Sequence, residues 1–379
     1  MTKILFITHE TSRTGAPFVL LYFLQWLKSN KKDTETTLLS LRRGDLHDAF
    51  KLVVDEIHEL SDVNEKLPFT TRALNKAFNR QPTSKKEGLI EHIASKPYDV
   101  IYSNTILAMP YGNTIKAKQS KAEHIVHVHE LNAIIKMLSP NFGSEINSVD
   151  HFIAASDLVK NNLITNWTIP ESKITRVYEC SRTEVNSQHK NSADTFHVGG
   201  SGTVHWRKGS DLFIQVANYI KTNYLETPVK FTWVGHHSDK ERIIIEEDVR
   251  KMELQDMVTF TGQQENPQAY FNDFDIFLMT SREDPFPLVC IEVGMLGKPI
   301  VCFKGATGSE EVISKGGGVS VPYLDVKAMT DQVMQYYNDR ALCQEHGVIN
   351  QREFSQFTPE LICPQYYDVI ETVLNSGKS

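Results

Sequence analysis

The feature that most limits what this chain can fold into is a rhythm. Short apolar runs alternate with amphipathic stretches of helical length. "KILFITH" leads into "PFVLLYFLQWLKSN", and that into "ETTLLSL". "YDVIYSN", "HIVHVHE" and "HFIAAS" continue the series, the last running into "DLVKNNLITNW" behind a Ser156-Asp157 cap signal. Apolar runs of this length are strands covered on both faces, and strand–helix–strand alternation lays them parallel. Around residues 180–195 the chain turns polar, in "CSRTEVNSQHKNSADT", which reads as a linker. The rhythm then restarts with "FHVGGSG", "GSDLFIQVANYIKTN", "VKFTWVG" and "FDIFLMTS".

A chain of 379 residues is too long for one ordinary core. The expected organisation is an α/β fold with two doubly wound, Rossmann-like domains, at 1–188 and 189–358. A last amphipathic helix in 359–379 crosses back to the first domain. The 40% apolar and 23% charged composition suits a soluble globular protein. The N-terminal run is too short for a secretory signal, and its apolar runs fall short of a membrane span. Five scattered cysteines with no C-x-x-C spacing fit idle thiols in a reducing cytoplasm. The net charge of −7 argues against nucleic acid as a partner. It is unevenly spread: residues 1–190 carry about +3 and the rest about −10, so the halves are expected to meet different partners.

Ligands of such sheets sit beyond the carboxyl ends of the strands. "DIFLMTS" delivers "REDPFP" to that edge, and a helix follows from Leu288 to a stop at Gly297-Lys298-Pro299. The free N–H groups of a helix start suit a phosphate. Carboxylates at the same place suit hydroxyls, and one carboxylate accepts from both hydroxyls of a ribose diol. Glu283, Asp284 and Glu292 are the candidates. Spacing alone leaves open that Asp284 caps the helix and that Glu292 is simply solvated.

These residues resemble a family. "SREDPFPLVCIEVGMLGKPIV" is similar to the acidic-x7-Glu signature of glycosyltransferase family 4, retaining enzymes of the GT-B fold, in which two Rossmann-like domains face each other across a cleft. "THETSRTGAPFVLLYFL", "FIAASDLVKNNLITNWTIPESKITRVYE", "GSGTVHWRKGSDLFIQVA" and "GATGSEEVISKGGGVSVP" resemble further family segments in their order, from about residue 4 to 335. The resemblance implies that Glu292 binds the nucleotide ribose and that Lys208 neutralises the donor diphosphate. It puts Asp284 near the donor sugar hydroxyls, or Glu283 if the register shifts by one. The family usually has Glu at the first acidic position, so Asp284 is a departure. An Arg commonly stands where this chain has Gly202. Arg207, or backbone N–H groups of the glycine-rich turn, would then supply the lost charge. Pro287 replaces a common Gly and has no N–H, which leaves the donor amides to Leu288 and Val289.

On the other domain the resemblance puts Gly15, in "RTGAP", near the donor phosphate or sugar. A glycine there lets the backbone approach a ligand closely. His127 and His129 point to one face by strand alternation. His129 matches an active-site histidine near the donor sugar and is assigned to positioning rather than to general base. Asn104 ends a neighbouring strand on the acceptor side. Asp273-x-Asp275 falls at the amino end of its strand, away from the ligand edge, and no His/Cys spacing suits zinc, so no metal is expected.

The reading is a metal-independent hexosyltransferase of the retaining kind. Its substrate is a UDP- or GDP-sugar, with no cofactor. The acceptor would be a saccharide or lipid-linked saccharide, as in bacterial surface polysaccharide synthesis. A basic stretch at 64–86 would touch the inner face of the membrane, with the protein otherwise cytoplasmic. A solvated helix explains that stretch equally well. The alternatives are a sugar-nucleotide epimerase or hydrolase on the same scaffold, and a non-catalytic nucleotide-sugar-binding subunit. A nicotinamide dehydrogenase is disfavoured, because "GGSGTVH" lacks the third glycine of G-x-G-x-x-G.

Overall fold

β1 (Thr2–Thr8) is buried from Ile4 onward, and Ile4, Leu5, Phe6 and Ile7 are wholly inaccessible to solvent. Such a strand must be central, with neighbours on both edges and helices on both faces. In the computed structural model, which describes residues 1–61, 85–183, 195–225 and 227–376, it is. It pairs in parallel with β2 (Thr34–Ser40) on one edge and β4 (Val100–Asn104) on the other. With β3 (Glu56–Glu59), β5 (Glu123–Val128), β6 (His151–Ala154) and β7 (Ile174–Arg176) they form a seven-stranded sheet of order β3-β2-β1-β4-β5-β6-β7. The order reverses between β1 and β4, so their carboxyl ends bracket a switch point.

The second sheet repeats this plan with β8 (Phe196–Ser201), β9 (Val229–Val234), β10 (Val258–Phe260), β11 (Ile276–Met279), β12 (Ile300–Phe303) and β13 (Gly318–Val321). Its order is β10-β9-β8-β11-β12-β13, all parallel, with the switch point between β8 and β11. The glycine run in β8 has a packing cause. A Cβ on Gly199 would lie 2.0 Å from the Phe274 ring, and one on Gly200 would lie 2.6 Å from Trp233. These two glycines make room for aromatic rings rather than for a phosphate.

The chain divides into two compact units. The first comprises Met1–Ala155, Val159–Val177 and Cys363–Ser379, and the second comprises Ser156–Leu158 and Tyr178–Ile362. Most of the polar stretch read as a linker (184–194), including the boundary expected at 188, lies outside the described residues. So does the 64–84 part of the basic stretch. Of its remaining lysines, Lys86 donates to the Tyr111 hydroxyl at 3.0 Å. No helix among the described residues is long and apolar enough to cross a membrane.

The C-terminal helix, Pro359–Ser376, ends in the first unit, as its late amphipathic pattern suggested. There Tyr366 packs edge-on against Phe23 of the Gly15–Asn30 helix at 5.4 Å, and against His127 at 5.0 Å. Phe23 also meets Phe6 and Tyr102, so one ring ties the first helix, the sheet and the last helix together. Truncating it leaves a cavity among aromatic rings. Phe23→Ala is expected to cost about 3–5 kcal/mol in urea unfolding of the first unit. A loss below about 1 kcal/mol would show that the last helix does not depend on this ring.

Candidate active site

In the second unit the site is built where β8 and β11 end. Beyond β8 the chain makes a short 3-10 turn, Trp206–Lys208, closed by Gly209. Gly209 has φ +69°, and a Cβ there would lie 2.0 Å from the Thr280 carbonyl. Only glycine fits so close to the end of β11 in that conformation. Thr280 donates from its hydroxyl to the Lys208 carbonyl at 3.1 Å, and the Arg282 N–H donates to the Arg207 carbonyl at 2.8 Å. The two loops are stitched together, and their side chains meet.

Lys208 donates from Nζ to Asp284 Oδ2 at 2.6 Å, and an Arg207 guanidinium nitrogen lies 3.3 Å from Asp284 Oδ1. The same guanidinium donates to the Glu283 carbonyl at 2.9 Å, and Ser281 donates to Asp284 Oδ2 at 3.3 Å. Asp284 is buried. Burial alone would raise its carboxyl, but Lys208 and Arg207 outweigh burial and hold it below the usual carboxylate range. Asp284 does not cap the following helix. That helix, Leu288–Met295, has Pro287 at its cap position and no side-chain cap. The Leu288 and Val289 amides lie in its first turn, ahead of the Cys290 N–H that donates to the Pro287 carbonyl at 3.0 Å.

Gly202 stands differently from the expectation. Its N–H donates to the Val234 carbonyl at 3.0 Å, and its own carbonyl accepts from the Trp233 indole at 2.8 Å. Its amide is therefore committed to the sheet and not available to a phosphate. What Gly202 supplies is space: at φ +138°, a Cβ would press on Lys208 Cδ at 3.1 Å. The cation Arg207, rather than this amide, stands beside Lys208.

Glu292 lies on the Leu288–Met295 helix, partly buried, and accepts from the Ser181 hydroxyl at 2.8 Å. Burial pushes its carboxyl up to about 7, and the Ser181 hydroxyl acts in the opposite direction. Ser181 was not singled out from sequence. It lies 111 positions away, and no local pattern connects the two. Ser156, read as a helix cap, donates instead to the Pro285 carbonyl at 2.8 Å. Glu311 takes the amides of Asp157 and Leu158.

In the first unit, three of the residues chosen from sequence converge where β1, β4 and β5 end. Asn104 donates from its amide to the Ala16 carbonyl at 3.0 Å, next to Gly15 at the helix start. That fixes its Oδ1 toward His129 Nε2, at 2.9 Å. An amide oxygen only accepts, so the network assigns the proton to His129 Nε2. His127 is a buried ring whose Nδ1 meets the Tyr102 hydroxyl at 2.9 Å, and burial holds its imidazole well below the ordinary value. Three neighbours escaped the sequence reading. Glu130 accepts the His129 N–H at 2.9 Å, and burial raises its carboxyl. His9 follows β1, and burial pushes it down to about 4 against the pull of Glu130. Thr105 holds φ +97°, a strained conformation, directly after Asn104. Position at the switch point was the available signal for His9.

The fold is that of the GT-B glycosyltransferases. Anabaena HepE in complex with UDP matches with a TM-score of 0.79 at 17% identity, covering 98% of this chain and 100% of that one. Residues 181–352 match the model of the family glycosyl transferases group 1, and the second unit belongs to that family. The chain is similar to N-acetyl-alpha-D-glucosaminyl L-malate synthase of Bacillus anthracis, at 22% identity over 87% of this chain and 93% of that protein. It is also similar to the O-antigen biosynthesis glycosyltransferase WclY of Escherichia coli, at 22% identity over 79% of each.

Two pH effects of opposite sign follow. Asp284 sits below its unfolded value, so its contribution to stability is present above about pH 4 and is lost as pH falls through the folded value. Asp284→Asn should cost about 3 kcal/mol at pH 7 in urea unfolding, and the deficit should shrink below about pH 4. Glu292 sits above its unfolded value, so its contribution is present at low pH and is lost as pH rises through about 7. Glu292→Gln should therefore gain stability over wild type between about pH 5 and pH 8. A pH-independent difference in either series contradicts the assigned environment.

Proposed function

We propose that this chain is a retaining glycosyltransferase that moves a hexosyl group from a UDP-sugar to a saccharide or lipid-linked saccharide. The observation that carries the reading is the pairing of Arg207 and Lys208 around one buried carboxylate at the carboxyl ends of β8 and β11. Two cations on one turn, opposed by a single anion, leave a net positive site. A diphosphate leaving group gathers negative charge as its bond to the sugar breaks, and fixed cations stabilise that charge. Asp284 holds both cations in place until the diphosphate competes for them. The Leu288 and Val289 amides add donors at the helix start, and Glu292 is the acceptor for the ribose diol.

In the transfer, the bond from sugar C1 to the phosphate oxygen breaks, and a bond from C1 to the acceptor oxygen forms on the same face. The acceptor proton passes to the departing phosphate. His129, held by Asn104 with its proton on Nε2, donates a hydrogen bond and positions the sugar. Glu283 and Asp284, adjacent on the loop after β11, are the carboxylates near the sugar hydroxyls, and Asp284 also holds Lys208 and Arg207. Uridine is favoured because HepE, of the same fold, was solved with UDP. A polysaccharide or lipopolysaccharide acceptor is favoured by the O-antigen role of WclY. The site belongs with the cytoplasmic pool of nucleotide sugars.

The test is a thermal-shift series with UDP, GDP and ADP on wild type and Glu292→Ala. UDP should raise Tm in wild type and not in the variant. With a UDP-sugar and acceptor, Lys208→Ala should lower kcat at least about a hundredfold, and EDTA should leave wild-type turnover unchanged. No stabilisation by any nucleotide refutes the donor site. Donor breakdown that ignores acceptor points to a hydrolase.

A further inference from the structure

Glu292 is the ribose acceptor in the donor-site reading, and its side chain is held by a hydroxyl of the same unit. Its Oε1 accepts from the Ser181 hydroxyl at 2.8 Å. Ser181 is itself wholly buried and is fixed from behind, because its N–H donates to the Phe357 carbonyl at 3.0 Å. Phe357 is in turn anchored by rings, meeting Phe286 at 5.3 Å, Tyr178 at 5.2 Å and Phe354 at 5.8 Å. Phe286 belongs to the loop that also carries Glu283 and Asp284. Ser181 therefore joins the start of the second unit to Glu292 of the Leu288–Met295 helix, and its backbone is held to the same aromatic cluster that braces the acidic loop.

We propose that Ser181 is a positioning residue of the donor site, whose hydroxyl orients Glu292 so that the carboxylate meets the 2′- and 3′-hydroxyls of a nucleoside diphosphate. This rests on the reading of Glu292 as the ribose ligand. The chemistry is a matter of counting acceptors. A carboxylate has about four lone-pair sites on two oxygens. Ser181 takes one on Oε1, which fixes the plane of the group and leaves three. A vicinal diol needs two of these, in the geometry that plane defines. Without Ser181 the side chain turns about its last torsion, which is broad for a carboxylate, and the diol must pay for ordering it. A merely structural serine would affect folding but not the choice between ribose and deoxyribose.

The experiment compares binding of UDP and GDP with their 2′-deoxy counterparts by titration calorimetry. The proteins are wild type, Ser181→Ala, Ser181→Cys, Ser181→Thr and Glu292→Gln, each checked for folding by its thermal transition. Wild type should prefer the ribonucleotide by about tenfold or more, the size of one hydrogen bond to a charged group. Ser181→Ala and Ser181→Cys should bring that preference down to about threefold or less, and Ser181→Thr, which keeps the hydroxyl, should restore it. Should Ser181→Ala fail to fold, the isosteric Ser181→Cys with its weak donor carries the test against Ser181→Thr. If the Ala and Cys variants keep the wild-type preference while Glu292→Gln loses it, Ser181 has no positioning role and the donor site stands. If wild type does not distinguish ribose from deoxyribose, or Glu292→Gln binds as wild type does, both the donor-site reading and this inference fall.

Discussion

The arrangement in the second unit depends on one interaction, the buried carboxylate of Asp284 facing Lys208 and Arg207. A carboxylate cannot stay ionised away from water without such partners, and two cations on adjacent residues cannot stay close without an anion between them. Each side makes the other tolerable. The cluster therefore fixes the loop after β11 against the turn after β8, and the Leu288–Met295 helix follows from that loop. The positions of Glu292 and of the free helix-start amides are consequences. So is the need for Gly209, whose backbone passes too close to Thr280 for any side chain.

The first unit reaches a comparable precision with weaker forces. Asn104 is pinned by a carbonyl from the Gly15–Asn30 helix and passes that constraint on to His129. Glu130 clamps the His129 backbone, and Thr105 stays strained because the surrounding network outweighs its preference. Polar groups this well matched keep one arrangement, whereas a looser site would sample several. Behind them the aromatic contacts of Phe23 and Tyr366 carry the burial that keeps the strands in place.

Much of this was legible in the sequence, for a definite reason. Continuous apolar runs bounded by polar stretches report strands buried on both faces, and the alternation with helices reports parallel order. Ligand chemistry in such sheets falls at the strand ends, so Asn104 and the 283–292 carboxylates stood out by position, while Lys208 and His129 stood out through the family resemblance. The charge missing at Gly202 had two open substitutes, Arg207 or amides of the glycine-rich turn, and the Gly202 amide itself is taken by the Val234 carbonyl. Asp284 had two open readings, cap or ligand; it does not cap the helix, and it pairs with two cations. Both outcomes depend on what lies across the sheet or on the adjacent loop, which spacing does not report.

What the sequence by itself determined is the class of fold and the residues at the strand ends, because hydrophobic periodicity and the succession of strands and helices along the chain are local properties. What only the tertiary structure decided is which of those residues touch. Ser181 meets Glu292, Lys208 meets Asp284, and Tyr366 meets Phe23 across separations of 111, 76 and more than 300 residues. Such contacts arise from the closing of whole sheets and the packing of helices upon them. No pattern within a window of the sequence encodes the distance between side chains that far apart.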